Sequence, residues 1–305
     1  MRAVVFEEYG DPGVLRLQEV PEPHAGPGQV RIKVYAAGVN PYDTKIRRGF
    51  TQAFAPAKFP AIPGFEVAGV VDEAGEGAAF AIGDEVVGWS AGGAYAEYAI
   101  AGNVTHKPAG LDWEQAVGVP VAGETAQRVL DLLGVKAGET ILIHGAAGAV
   151  GSVAVQLAKA AGLTVIGTAS AANHDYLRTI GAIPVAYGDG LIERVREAAP
   201  QGVDAVFDTA GKGGLQESIE LRGGTDRIIT IADFGAAELG ILTSGGGTAS
   251  PDEVRAALDT QLQAAAEGKL TIRIAATFPL QEAAAAQELS ESGHARGKIV
   301  VLPQA

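Results

Sequence analysis

The chain has 305 residues, 47% of them hydrophobic, with no cysteine and a formal net charge of −13. That length suits two ordinary domains, and the charge gives no sequence-wide attraction to phosphate backbones or anionic lipid, so nucleic acid and membranes are not expected as partners. Without cysteine, disulfides, thiolate nucleophiles and cysteine-ligated zinc are excluded.

The opening MRAVVFEEYG puts Glu7 and Glu8 where a secretion signal would continue its apolar run, and no later stretch holds about 18 uninterrupted apolar residues. A cytoplasmic location is therefore expected. Short β-rich runs follow, QVRIKVYAAGV, FEVAGVVDEAG, GDEVVGW and AYAEYAI, separated by Gly and Pro clusters, which predicts an antiparallel or barrel-like β domain.

From about Trp113 the texture changes. Ala- and Leu-rich helical stretches alternate with the apolar runs ETILIHG, LTVIGTA, IPVAYG, VDAVFDTA and RIITIAD, which predicts βαβ units around a parallel sheet. The stretch SGGGTAS, Ser244 to Ser250, reads as a domain boundary or as a loop over a site. Beyond it, PDEVRAALDTQLQAAAEGKL is framed as a helix by Pro251 and Gly268, and IRIAATFPL, QEAAAAQELSESG and GKIVVLP read as strand, helix and strand. The returning β texture predicts that both chain ends build the first domain.

Five histidines, His24, His106, His144, His174 and His294, form no close ligand pair, so no metal site is expected. The chemistry lies instead in HGAAGAVG, whose glycines fall at Gly145, Gly148 and Gly151 between a predicted strand and a predicted helix. Such a turn lets backbone approach a pyrophosphate, with Gly148, Ala149, Val150 and Gly151 as the contacts, although tight strand–helix packing also calls for small residues. About twenty residues on, where an NAD site carries an acidic residue on the ribose, the chain reads Thr168, Ala169 and Ser170. With no carboxylate to repel a 2′-phosphate, and with Ser170, Asn173 and His174 able to donate hydrogen bonds, NADP(H) is the expected cofactor. Asn173 and His174 also suit plain helix capping.

With these motifs on the page, the sequence resembles the zinc-independent quinone oxidoreductase branch of the medium-chain dehydrogenase/reductase superfamily, which includes alkenal and enone reductases. The likeness runs in order through AAGVNPYDTKIRRG, IPGFEVAGVV, GDEVVG, GAYAEYA, VPVAGETA, HGAAGAVGSVAVQLAKAAG, FDTAG and SGHARGKIVVLP. It implies an α/β protein with a Rossmann doubly wound parallel sheet domain at 118–250, inserted into a groES-like β-barrel catalytic domain built from 1–117 and 251–305. Phe65 stands where zinc-dependent relatives carry a ligating histidine, so zinc polarisation of an alcohol is not expected.

The resemblance also implies roles. Asn40 and Tyr42 would line the nicotinamide end, Asp43 would orient them, and Lys45 would reach the cofactor or the substrate oxygen; Asn40-Pro41 is equally a good turn, and Asp43 with Lys45 a solvated pair. Thr125 would face the nicotinamide, although Glu124 stands where relatives carry an apolar residue or threonine. Tyr187 would lie near the adenosine phosphate, Ala210 at a ligand-collecting strand tip, and Lys298 at a cofactor phosphate, whereas Tyr187 also suits a sheet edge and Lys298 a solvated strand end. Phe50, Phe54, Phe59 and Phe234 would either stack on a flat substrate or sit in the core, core being favoured.

The expected activity is hydride transfer from NADPH to a quinone or an α,β-unsaturated carbonyl. Alternatives are an enoyl-thioester reductase, with Arg47 and Arg48 at the mouth of a pantetheine channel, and a non-catalytic NADPH-binding sensor. Family members commonly pair the edge strands of their Rossmann sheets, so a homodimer is expected, with RIITIADF and LGILTSG supplying the edge.

Overall fold

The computed structural model describes residues 1–246 and 249–305, so Gly247 and Thr248 of the SGGGTAS stretch lie outside the described residues. The chain forms two compact units, Met1–Val121 with Ser250–Ala305, and Ala122–Ala249. Among the described residues no helix is long and apolar enough to cross a membrane.

The first unit opens with a two-stranded ribbon, β1 (Arg2–Val5) and β2 (Arg16–Glu19). Strand β3 (Val30–Val39) alternates buried Val30, Ile32 and Val34 with half-exposed neighbours, the pattern of a sheet with one face on the core. It runs into α1 (Pro41–Arg47), which Pro41 starts at the first helical position, where its missing N–H has no partner to lose. Strands β4 (Glu66–Ala74), β5 (Glu85–Ser90) and β6 (Tyr98–His106) follow, each antiparallel to its neighbour. Because β6 also pairs back onto β3, these four strands close into a small barrel and leave no free edge among themselves. The run AYAEYAI begins the last of these strands only at Tyr98: Ala94 and Tyr95 instead bond the carbonyl of Pro63, which makes this segment a connection. Helices α2 (Trp113–Val117) and α3 (Pro120–Leu133) lead onward.

In the second unit, β7 (Thr140–His144), α4 (Ala149–Ala160), β8 (Thr164–Thr168), α5 (His174–Thr179), β9 (Ile183–Val185), α6 (Leu191–Ala198), β10 (Ala205–Asp208), α7 (Leu215–Arg222), β11 (Ile228–Thr230) and β12 (Leu242–Thr243) alternate. The six strands are all parallel, in the order β12-β11-β10-β7-β8-β9. This is the doubly wound order, in which the chain leaves β7 first toward β9 and then returns to the other side of β7. Strand β7 is buried along its whole length, as a central parallel strand covered on both faces must be. Leu142, Ile166 and Val206 lie side by side in its core and are fully buried, so truncating Leu142 or Ile166 to alanine costs about 2–5 kcal/mol.

The chain then returns to the first unit. Ser250 and Glu253 form a capping box that starts α8 (Pro251–Ala266), and Gly268, at φ +71°, follows its end. Strand β13 (Ile274–Pro279), helix α9 (Ala283–Ser292) and strand β14 (Lys298–Leu302) complete it, with β14 antiparallel to β3 and β13 at the sheet's end. The last strand thus lies beside the first long one, which brings residue 298 next to residue 40.

Candidate active site

The glycine turn sits at the carboxyl end of β7, between its neighbours β8 and β10, which is the switch point where ligands of doubly wound sheets bind. Each glycine has its own reason to be there. Gly145 has φ +68°, and a Cβ on it would meet the Thr209 hydroxyl at 2.7 Å. A Cβ on Gly151 would come within 2.3 Å of the Gly145 carbonyl oxygen, so the helix rests directly on the turn. Gly148 is different: its Cβ would lie 3.3 Å from that same oxygen, so local packing alone presses less on it. It caps α4 without any side-chain bond, leaving the first-turn N–H groups of Ala149, Val150 and Gly151 with no side-chain acceptor. A twelve-residue helix with an uncapped N-terminus above a turn, Gly145–Gly148, that carries nothing larger than the methyls of Ala146 and Ala147 suits a pyrophosphate, and so fits a dinucleotide.

The ribose end follows β8. The Asn173 backbone N–H donates to the Ser170 carbonyl at 2.8 Å, and its side-chain amide donates to the Ser170 hydroxyl at 3.2 Å. The Asn173 Oδ1 is buried without a partner. His174 Nε2 lies 3.3 Å from the Ala169 carbonyl, and His174 shares a groove of about 360 Å³ with Arg194 and Glu197. Arg194 donates to the carbonyls of Ala186, Gly188 and Asp189, bolting down the loop that carries Tyr187, which is 63% exposed. Ser170, Asn173 and His174 are therefore brought together.

Ala210 lies on a turn after β10, where its N–H and that of Gly211 donate to buried Asp208. His144, at the end of β7, is a core residue. The Ser218 hydroxyl donates its one proton to the Gly214 carbonyl, so His144 Nε2 carries a hydrogen toward Ser218 and Nδ1 accepts from Thr168. Burial pushes this imidazole's pKa down, which keeps it neutral. Thr125 is buried on α3, and its hydroxyl is 3.4 Å from Glu124. Arg128 pairs with that glutamate at 2.7 Å and also holds the Ser244 hydroxyl, so the charge at the family's apolar position is compensated.

In the first unit, NPYDTK forms the turn into α1. The Asn40 N–H donates to the Asp43 carboxylate at 2.8 Å. Its side-chain amide is held at both ends: Oδ1 accepts from the Lys298 ammonium at 2.8 Å, and Nδ2 donates to Glu66 at 2.7 Å. Lys298 pairs closely with Glu66, whose other oxygen accepts the Val121 N–H at 2.7 Å. Gly38 makes room for this cluster, since a Cβ there would meet Glu66 at 2.2 Å. Burial pushes the Asp43 carboxyl up to about 7, opposed by the Asn40 N–H and the Lys298 charge, and the Tyr95 hydroxyl reaches it at 3.4 Å. Burial also pushes Tyr95 well up and Lys45 down.

Three expectations change here. Lys298 is only 1% exposed and its charge is committed to Glu66, so it is sealed off from the cofactor phosphate assigned to it. Asp43 is buried and so does not form a solvated pair with Lys45. Phe50, Phe54, Phe59 and Phe234 are exposed rather than core, with Phe59 edge-on to Phe6 and Tyr9. Glu66 escaped sequence reasoning altogether; the available signal was an acidic residue inside the apolar strand FEVAGVV.

The sheet order and the glycine turn define a Rossmann-type unit carried by a chain whose two ends share one barrel. Residues 26–130 match the family model described as alcohol dehydrogenase GroES-like domain, and residues 180–301 that described as zinc-binding dehydrogenase. The quinone oxidoreductase of Lama guanicoe is 34% identical, with 99% of this chain and 97% of that one covered. The 2-haloacrylate reductase of a Burkholderia species is also 34% identical, with 99% of each covered. The crystal structure of Escherichia coli quinone oxidoreductase complexed with NADPH is similar at a TM-score of 0.89 and 26% identity, covering 99% of this chain and all of that one. The chain belongs to the quinone oxidoreductase branch of the medium-chain dehydrogenase/reductase superfamily.

The name of the second family model raises zinc, and the donor set does not suit it. There is no cysteine, Phe65 precedes a glutamate already bound to Lys298, and among the described residues no three His, Asp or Glu side chains converge.

Proposed function

We propose that this protein is an NADPH-dependent, zinc-independent reductase that delivers hydride to a quinone or an α,β-unsaturated carbonyl. The observation that carries the reading is the uncapped α4 N-terminus above the Gly145–Gly151 turn, supported by relatives named as quinone oxidoreductases and a 2-haloacrylate reductase.

When bound, NADPH supplies the hydride. The N–H groups of Gly148, Ala149, Val150 and Gly151 hold the pyrophosphate, and Ser170, Asn173, His174 and Tyr187 receive the 2′-phosphate end. Thr125 and the Ala210 turn line the nicotinamide side. Asn40 shares the nicotinamide end, its amide fixed by Glu66 and Lys298 and its backbone by Asp43. As negative charge grows on the acceptor oxygen, the Tyr42 hydroxyl and the Lys45 ammonium donate to it; losing one such donor costs about 10²–10³ in kcat. Burial lowers the Lys45 pKa, which makes its ammonium a readier proton donor.

The enoyl-thioester alternative loses its support, because Arg47 is fully buried, bonding Gln287 at 2.6 Å and pairing with Glu291, and Arg48 is paired with Asp11 and Glu291. A cytoplasmic homodimer joined through the exposed edge β12 is part of the proposal; a dilution-stable monomer in sedimentation would remove that part. The main test is oxidation of NADPH and NADH in parallel across quinones, alkenals, enones and an enoyl-thioester, before and after prolonged chelation. NADPH-specific, chelator-resistant turnover of quinones or enones is expected; binding without turnover would make the protein a sensor.

A further inference from the structure

Glu124 and Arg128, both on α3, form an ion pair to which the mechanism above gives no task. The guanidinium donates to both carboxylate oxygens, Nε to Oε1 at 2.7 Å and Nη2 to Oε2 at 3.3 Å. Its other arm, Nη1, donates to the Ser244 hydroxyl, while the Thr125 hydroxyl lies 3.4 Å from Glu124 Oε2. A guanidinium has only hydrogens to give and a carboxylate only lone pairs. Thr125 therefore turns its hydrogen toward Glu124 and keeps lone pairs free, whereas Ser244 offers a lone pair to Arg128 and keeps its hydrogen free. One ion pair thus gives two buried hydroxyls opposite polarity.

Ser244 follows β12 at the carboxyl edge of the parallel sheet, its N–H donating to the Thr230 carbonyl at 2.9 Å, and the glycine turn lies on the same edge. A dinucleotide spans that edge with one half on each side of the switch point. On the reading above, Ser170 and Asn173, after β8, take the 2′-phosphate half. The nicotinamide half is then left to the side of β10, β11 and β12, where Ser244 stands. We infer that the Glu124–Arg128 pair is a positioning device for the nicotinamide carboxamide, presetting Thr125 to accept from its N–H₂ and Ser244 to donate to its oxygen. The inference rests on the reductase reading and deepens it. A primary carboxamide carries donors and an acceptor in one plane, so an accepting and a donating hydroxyl together fix which way it points. That fixes the ring's rotation about its ribose bond, and with it the face that gives up hydride, before an acceptor arrives. Without the pair both hydroxyls rotate freely, and each binding event then has to order them.

The test is calorimetric titration with NADPH, with its 3-acetylpyridine analogue, in which a methyl replaces the amide nitrogen, and with 2′-phospho-ADP-ribose, which has no nicotinamide. The full chain is compared with Thr125→Val, Ser244→Ala and the double variant Glu124→Leu/Arg128→Leu, which removes both charges and so strands neither. The full chain should bind NADPH about tenfold more tightly than the analogue. Thr125→Val and the double variant should lose most of that preference through weaker NADPH binding. Ser244→Ala should weaken NADPH and the analogue equally, since both keep the oxygen it donates to. Affinity for 2′-phospho-ADP-ribose should be alike in all four proteins. A purely structural ion pair would weaken all three ligands together in the double variant, and that result, or a preference that survives there, overturns the inference. If the full chain binds none of the ligands, the reductase reading falls and the inference with it; if it binds NADPH and the analogue alike, the inference alone falls.

Discussion

Replacing Lys298 by methionine should expose how much of the first unit depends on one buried ion pair. Glu66 is fully buried and accepts from three donors: the Lys298 ammonium, the Asn40 amide and the Val121 N–H, the last two at 2.7 Å. Methionine keeps most of the side-chain volume but strands a carboxylate inside the protein, which costs about 3–5 kcal/mol. At about 2–4 °C per kcal/mol, the melting temperature of that unit should fall roughly 6–20 °C. Two hydrogen bonds remain to the stranded group, which favours the lower part of the range. Glu66→Gln with Lys298→Met removes both charges and should recover most of the loss. Both tryptophans, Trp89 and Trp113, lie in the unit that holds the network, so urea unfolding followed by tryptophan fluorescence reads that unit directly. A Lys298→Met variant within about 1 kcal/mol of the parent, or a double variant no better than the single one, would refute the reasoning.

Asp43, held up to about 7 by burial, is protonated in the fold and ionised in the unfolded chain between about pH 4 and 7, so it makes stability decline as pH rises through that window, by up to about 4 kcal/mol, and has no further effect above it. Asp43→Asn should flatten this slope, read from urea midpoints at several pH values; an unchanged slope would assign it to another group. Gly151→Ala, whose Cβ would strike the Gly145 carbonyl oxygen at 2.3 Å, should lower both the melting temperature and NADPH affinity. Gly148→Ala, with 3.3 Å to the same oxygen, should weaken NADPH binding with a smaller change in melting temperature, and equal melting losses in the two variants would contradict the assignment of Gly148 to cofactor approach. Ser170→Asp should shift the NADPH/NADH ratio of kcat/KM toward NADH by at least about tenfold through repulsion of the 2′-phosphate, and a constant ratio would take Ser170 out of that site.

What was legible in the sequence is what local chemistry dictates. Period-two alternation in QVRIKVYAAGV and the glycine spacing of HGAAGAVG each act within a dozen residues, and the structure forms a strand and an uncapped helix entry there. Lys298 and Glu66 were beyond such reading, because their meaning depends on a partner 232 positions away that arrives only when β14 pairs with β3. A lysine opening an apolar strand reads as a solvated end or a phosphate contact, and a glutamate in FEVAGVV reads as an isolated misfit. Only the pairing shows that each is the other's reason. The exposed phenylalanines were misjudged by the same limit in reverse: composition assigns phenylalanine to a core, whereas exposure depends on what the fold leaves uncovered.

The two limits meet at Asn40 and Phe65. The apolar ring stands outside while the next residue carries a charge to the interior, so strand β4 begins by inverting the usual order of apolar inside and charged outside. That inversion is affordable only because Lys298 and the Asn40 amide meet the buried carboxylate. If the ion pair were replaced by apolar side chains, stability need not suffer, but nothing would hold the Asn40 amide at both ends. The pair is therefore better explained by the orientation it imposes on Asn40 than by the stability it contributes, and the neutral double variant separates the two: it should regain its unfolding midpoint while kcat stays depressed.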